Sequence, residues 1–275
     1  MYKGQEAQAR KRLTVSALRQ MKSEGQRIAC LTAYDASFAR CAEQAGVDVV
    51  LVGDSLGMVL QGRDSTLAVT VDDIVYHCAS VRRGLDAPLL IADMPFMSYA
   101  SEQQALDNAG RMLAQGGANM VKLEGAGAVL DYTARLAGLG IPVCGHLGLT
   151  PQSVNQLSGY RVQGKSEPHA LGLLEDAQSL EQAGASLLVM ECVPSGLGRK
   201  ISASLEIPVI GIGAGPGCDG QVLVMHDVLG ITPGRRPRFA RDFMSGAGSV
   251  LEALSRYVAA VRDGSYPAPE ECFPD

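Results

Sequence analysis

No apolar run in this 275-residue sequence reaches the roughly 18 residues that would span a bilayer. A basic tract is also absent and the formal net charge is −5, which argues against nucleic acid or an anionic membrane as the main partner. The opening MYKGQEAQARKRL is charged and lacks the apolar core of a secretory signal. Its Arg and Lys also occur in transit peptides, but Glu6 and the shortness weigh against that reading. The seven cysteines contain no C-x-x-C pair, and their number is odd. Scattered thiols of this kind fit a cytoplasmic protein better than a disulfide framework or a zinc site. Cys144 and Cys192 fall close to strand ends, where a nucleophile is conceivable, but a small buried hydrophobe is the default. No glycine-serine linker or charge block divides the chain, so a single domain over 1–275 is expected.

What is present is a large apolar fraction, 47%, and 32 glycines, enough for a big core and many tight turns. Short apolar runs alternate with segments of helical period. The runs predict strands at Ile28–Thr32, Val47–Val52, Leu89–Asp93, Met120–Glu124, Pro142–His146, Ser186–Glu191, Pro208–Gly213 and Gln221–Met225. Most are rich in Val, Ile and Leu on both faces, as when helices cover a parallel sheet. Helices are expected near Ser37–Ala45, Val71–Arg83, Ser101–Gln115, Ala128–Leu139, Ala170–Ala183 and Gly198–Ser204. The segments AGVDVV, GGANMV and AGASLL each read as a helix-ending glycine feeding a strand. Eight such units predict an α/β fold of the (β/α)8 TIM-barrel kind with a core over about 25–235; a doubly wound sheet is the alternative. Thr14–Glu24 reads as an extra N-terminal helix covering the barrel bottom, and Phe239–Asp263 as a long C-terminal helical tail.

The strand ends carry the chemistry. LVGDS, IADMP, VKLEG, CGHLG and VMECV place Asp54, Asp93, Glu124, His146 and Glu191 where apolar runs stop. In a barrel these ends converge on one face, where the active sites of this architecture lie. Four carboxylates there repel one another and resist joint desolvation, so they need protonation, a cation or a divalent metal. Lys122 sits two residues before Glu124, on the same inward face of its strand. Two aspartates and a glutamate, with Ser55 nearby, are hard oxygen donors that favour magnesium over zinc. Singly, each has a plainer reading: helix cap for Asp54, turn residue for Asp93, structural ion pair for Lys122 and Glu124, loop-bonded ring for His146. Together those readings need five coincidences on one face.

Weaker signals remain. GIGAGPGCDG (Gly211–Gly220) has a dinucleotide-like glycine spacing but lacks a clear following helix and a later acidic partner, so it reads as a tight loop forming one wall, with a phosphate-binding loop after the seventh strand as the alternative. His77 reads as a helix-face residue, His169 as a loop or helix-start residue, and His226 as lying near the eighth strand end.

The segments TAYDASFA, LVGDSLGMVLQGRDSTLAVTVDDIVYH, ADMPFMSY, VKLEG, VCGHLGLTPQSVNQLSGYRVQG, LVMECVP and IGIGAGPGCDGQVLVMHD together resemble the ketopantoate hydroxymethyltransferase family, from about Thr14 to Pro267. Ala68 departs from the family's proline and touches no chemistry. The resemblance implies a barrel of the phosphoenolpyruvate/pyruvate type that moves a hydroxymethyl group from 5,10-methylenetetrahydrofolate to 3-methyl-2-oxobutanoate, making 2-dehydropantoate for pantothenate synthesis. It implies Mg2+ on Asp54 and Asp93, with Glu124 at the metal's edge, directly or through water. By the same resemblance Asp54, Ser55, Asp93 and Lys122 contact the keto acid, Glu191 accepts the proton, and the protein is a homo-oligomer, typically a decamer. Tyr34 and His146 are expected to line the pocket or handle protons, and Gly57 to keep the following loop slim for substrate. Three rivals stand beside this reading: a lyase or phosphonomutase on the same barrel, a Schiff-base aldolase using Lys122, and a non-catalytic scaffold. The first is disfavoured by the absence of a cysteine loop of the KKCGH kind.

Overall fold

The computed structural model describes residues 10–157, 159–232, 234 and 236–275; the opening residues 1–9 read above lie outside the described residues. Eight parallel strands close into a barrel in sequence order, and the eighth pairs back onto the first. They are β1 (Ile28–Thr32), β2 (Val49–Val52), β3 (Leu89–Asp93), β4 (Met120–Glu124), β5 (Val143–Gly148), β6 (Leu187–Glu191), β7 (Val209–Ile212) and β8 (Gly220–Leu223). The barrel, not the doubly wound sheet, is thus the architecture. Around it run α1 (Val15–Ser23), α2 (Ala36–Gln44), α3 (Leu56–Val59), α4 (Val71–Arg82), α5 (Glu102–Ala114), α6 (Ala128–Gly138), α7 (Glu167–Gln182), α8 (Ser195–Ser204), α9 (Met225–Val228) and α10 (Val250–Asp263). No helix among the described residues is long and apolar enough to cross a membrane.

Strand period divides the core in two. Alternate residues such as Ile28, Cys30, Leu89, Ile91, Met120 and Cys144 fill the barrel interior. The intervening set, including Ala29, Leu31, Val50, Leu90 and Val121, packs in the larger cluster with the helices. Leu18 of α1 is fully buried in the interior cluster, so the extra helix closes the barrel at the end from which the strands start. Gly46, Gly117 and Gly184 take φ of 89°, 72° and 99° just past their helices, which turns each chain into its strand as the repeated motif required.

Several boundaries move for local reasons. β2 starts at Val49 because the Val47 N–H bonds back to Ala42 of α2, while the Asp48 carboxylate accepts from the Ala29 N–H and from Arg10. β5 runs on to Gly148, whose partner is Glu191. β8 stops at Leu223, and the Met225 N–H that opens α9 donates to the Thr32 hydroxyl. Of the tail read over Phe239–Asp263, Val250–Asp263 is helical; the stretch before it is turns, where Asp242 accepts from the N–H groups of Met244 and Ser245. The phenol of Tyr257 in α10 donates to Cys30 O and lies 2.9 Å from Gln221 O, fastening the helix over the seam between β1 and β8. The last residues fold back on α8, where the Ser195 N–H donates to Phe273 O.

Candidate active site

A cavity of about 800 Å³ opens at the C-terminal ends of the strands. Its floor carries Asp54, Asp93, Lys122, Glu124, His146 and Glu191, with Ser55 beside Asp54. Strand register makes this set: Asp93 pairs with Lys122, Glu124 with His146, and Gly148 with Glu191. Asp54, Asp93, Lys122, Glu124 and His146 are each less than a tenth exposed, and Glu191 is more open.

The plain readings of Asp54, Asp93 and His146 do not hold, whereas the ion pair read for Lys122 and Glu124 is present. α3 follows Asp54, but no side chain caps it. Asp93 accepts from the Lys122 ammonium at 2.5 Å and from the Asp54 N–H at 3.2 Å. Lys122 also lies 3.7 Å from Glu124. His146 bonds carboxylate rather than a loop carbonyl, its Nδ1 being 3.2 Å from Glu124 Oε1. Its Nε2 stands 3.2 Å from Glu191 Oε2, at ion-pair distance but not aligned as a hydrogen bond.

Electrostatics follow from this crowding. Burial, reinforced by Asp93 and Glu124, pushes the Asp54 carboxyl well above the usual carboxylate range. Burial also raises Asp93, although Lys122 pulls against it. For Glu124 burial is outweighed by the His146 hydrogen bond and the Lys122 charge, and its carboxyl is held low. Lys122 keeps its charge more firmly than a free lysine because Asp93, Glu124 and Asp54 outweigh its desolvation. Burial and Lys122 act against a charge on His146, but Glu124 and Glu191 push it up to about 9. Four carboxylates thus face two cations, and Asp54 meets that excess by holding its proton to a higher pH than an ordinary aspartate.

Gln152, missed in the sequence, holds this floor together. Its side-chain amide donates to Asp54 Oδ2 at 3.0 Å and to Met94 O at 2.9 Å, and its backbone N–H donates to Glu124 Oε2 at 3.0 Å. Its own oxygen accepts from the Tyr99 hydroxyl at 2.7 Å. A neutral amide in a loop carries no periodicity or charge signal; the only clue was its place within HLGLTPQS.

The donor set suits a hard cation. Among the described residues no three His, Cys, Asp or Glu side chains converge as a ready-made cage. Magnesium does not need one, because it binds through one or two carboxylates and completes its shell with substrate and water. Asp54 and Asp93 offer such a pair, and Asp54 Oδ1 has no hydrogen-bond donor among the described residues. Both oxygens of Glu124 are already engaged by His146 and Gln152.

Other expectations change. Tyr34 stands behind Ser55 rather than lining the cavity: its hydroxyl is 2.9 Å from Ser55 Oγ. Burial pushes its phenol up to about 12, so it is a neutral partner. A Cβ on Gly57 would come within 2.8 Å of Val69 and 3.2 Å of Ser65 O, so this glycine serves packing against the 65–69 segment, not substrate passage. The Gly211–Gly220 loop is backing more than wall: Ile212 reaches the cavity, whereas Gly213 lies under Phe239 and Phe273, which form the wall. Cys144 is buried with its thiol pushed up to about 12, and burial raises Cys192 too, which removes both as nucleophiles. His77 lies in α4 with Nδ1 2.7 Å from Tyr34 O; His169 Nδ1 accepts from the Gly164 N–H; His226 lies in α9 against the Tyr34 ring.

Comparisons with known proteins agree with this geometry. Residues 12–269 match the family described as ketopantoate hydroxymethyltransferase. A 3-methyl-2-oxobutanoate hydroxymethyltransferase of Alkalilimnicola ehrlichii is 58% identical over 273 residues, covering 99% of both chains. One of Nitrosococcus oceani is 55% identical over 259 residues, covering 94% of this chain and 98% of its own. Among solved structures, a phosphonopyruvate hydrolase bound to oxalate and Mg2+ superposes with TM-score 0.61 at 14% identity, over 91% of this chain and 96% of its own. A 2,3-dimethylmalate lyase of the PEP mutase/isocitrate lyase superfamily gives 0.57 at 16% identity, over 76% and 80%. These distant structures speak to the barrel, and the close relatives to the activity. This chain is therefore a transferase that belongs to the ketopantoate hydroxymethyltransferase family.

Proposed function

We propose that the protein transfers a hydroxymethyl group from 5,10-methylenetetrahydrofolate to 3-methyl-2-oxobutanoate, giving 2-dehydropantoate in pantothenate and coenzyme A biosynthesis. The observation that carries this reading is the carboxylate pair Asp54–Asp93, with Asp54 Oδ1 without a donor among the described residues and Asp93 paired to Lys122, on a cavity floor that Glu191 overlooks. Asp54 and Asp93 would hold Mg2+, with Glu124 at its edge, directly or through water. When bound, the ion would supply Lewis-acid polarisation of the keto oxygen, which lowers the cost of the enolate.

The residues of the chain do the rest. Ser55 and Lys122 bind the anionic end of the keto acid, with Tyr34 fixing the Ser55 hydroxyl. Lys122 is held in place by Asp93 and Glu124, so its charge sits where negative charge develops. Glu191 takes the proton from C3 of the keto acid. His146, bridging Glu124 and Glu191, orients that carboxylate. Water supplies the oxygen of the one-carbon unit, and its two protons go to the two folate nitrogens as both C–N bonds break. The C3 carbanion then adds to the freed aldehyde-level carbon, and the alkoxide formed takes the proton held by Glu191 to become the hydroxymethyl group. A Schiff base on Lys122 is disfavoured, because an ammonium clamped between two carboxylates has no lone pair to offer.

The reading includes a cytoplasmic homo-oligomer of ten copies, acting on small molecules without a nucleic-acid or membrane partner. Its test is deuterium exchange at C3 of 3-methyl-2-oxobutanoate, followed by NMR with folate omitted. Exchange that needs Mg2+ and is abolished by EDTA supports the reading. Exchange unaffected by EDTA, or trapping of Lys122 by borohydride, overturns it.

A further inference from the structure

The cavity has a second pole that the floor chemistry does not use. Arg161, in the loop after β5, and Arg236 and Arg238, in the segment after α9, line the same space. All three are exposed at its mouth, in a chain whose net charge is −5. Arg238 is braced: its Nε donates to Glu270 O at 2.8 Å and its guanidinium lies 5.9 Å from the centre of the Phe273 ring. That leaves its terminal nitrogens without a partner among the described residues. Arg236 has one long contact, 3.6 Å to Asp242, and Arg161 makes no ion pair among the described residues. The same cavity also has apolar lining, with Leu149, Val189, Phe239 and Phe273.

Barrel order gives the rim a direction. The loops after β5 and β8 flank the sector of β6 and β7, and β6 ends in Glu191. The carbon that gives up its proton to Glu191 is also the carbon that receives the one-carbon unit. The donor therefore reaches the reaction centre through the space that Glu191 overlooks. A reduced folate has the matching order of parts: a reactive nitrogen end, a flat aromatic spacer, and a glutamate tail with at least two carboxylates. We propose that Arg161 and Arg238, with Arg236 beside them, form the subsite for that tail. This rests on the folate-dependent reading above. Guanidinium groups pair with carboxylates through two parallel hydrogen bonds, which suits a flexible poly-carboxylate better than a lysine point charge would.

The test uses a series of donors with the full-length protein: the 5,10-methylene forms of tetrahydropteroate, which lacks glutamate, of tetrahydrofolate, and of its triglutamate. Arg161→Ala and Arg238→Ala should each raise KM for the two glutamate-bearing donors about tenfold, the equivalent of one charge-assisted contact. KM for the pteroate donor and for the keto acid should stay as in the unaltered protein, and Arg238→Lys should recover part of the loss. Folate-free C3 exchange reports on the floor alone. If the unaltered protein lacks Mg2+-dependent exchange, the functional reading fails, and the subsite with it. If exchange and turnover are normal but the arginine variants lose nothing, only the subsite is overturned. Equal losses for all three donors would make the arginines structural. Equal losses for folate and keto acid would make them a general electrostatic funnel. Either outcome overturns the proposal.

Discussion

Charge at the floor is resolved residue by residue, and the sharpest predictions belong there. Glu191→Gln keeps the shape of the side chain and removes the base. C3 exchange should fall about 10²-fold or more, while Mg2+-dependent binding of the keto acid, measured by calorimetry, persists. Gln152→Ala strips one donor from Asp54 and the acceptor of Tyr99 without touching the reacting atoms. Mg2+ affinity should drop about 10–100-fold, as for other partners that orient metal-binding carboxylates. Asp54 sets the pH response. Its carboxyl is raised by burial and by Asp93 and Glu124, so without metal it keeps its proton to a higher pH than an ordinary aspartate. The cation needs the ionised form, so binding should release a proton and affinity should rise as pH rises through that value. Calorimetry in buffers of different ionisation enthalpy would reveal the proton; pH-independent affinity would contradict this account.

Among the elements, α1 and α10 close the barrel that the strands begin. Leu18→Ala should cost about 2–5 kcal/mol of stability in denaturant unfolding, because Leu18 is fully buried among the interior residues. The segment before α10 is not helical from Phe239 for local reasons. Helical period over 239–249 competes with Gly246 at φ 71° and with the Asp242 turn, and these local terms win. The two short helices α3 and α9 carry too few residues for a period to register, yet α3 begins two residues after Asp54 and α9 carries Asp227 to the cavity. Phe239 and Phe273 arrive from segments without regular structure, so their meeting over Gly213 left no trace in the pattern.

For the molecule as a whole, ligand binding and self-association are the observables. Anything that binds only the folded chain raises its stability, so Mg2+ and keto acid together should raise the thermal midpoint more than either alone. Sedimentation should give a mass of ten chains; a monomer would remove the oligomer from the functional proposal.

Much of this was written in the order of residues. Val/Ile/Leu runs that are apolar on both faces require cover on both faces, and eight of them alternating with amphipathic helices require closure or a wide sheet. The strand-end positions of Asp54, Asp93, Glu124, His146 and Glu191 followed from where those runs stopped. Strand period put Lys122 with Glu124, because alternate side chains share a face. Tertiary structure alone chose the barrel over the open sheet, since that depends on β8 meeting β1 across nearly the whole chain. It also brought Gln152 to Asp54, 98 residues away, and stood Arg161 and Arg238 at one rim. Such contacts are fixed by closure and loop packing, which join residues with no shared period, and so no local pattern announces them.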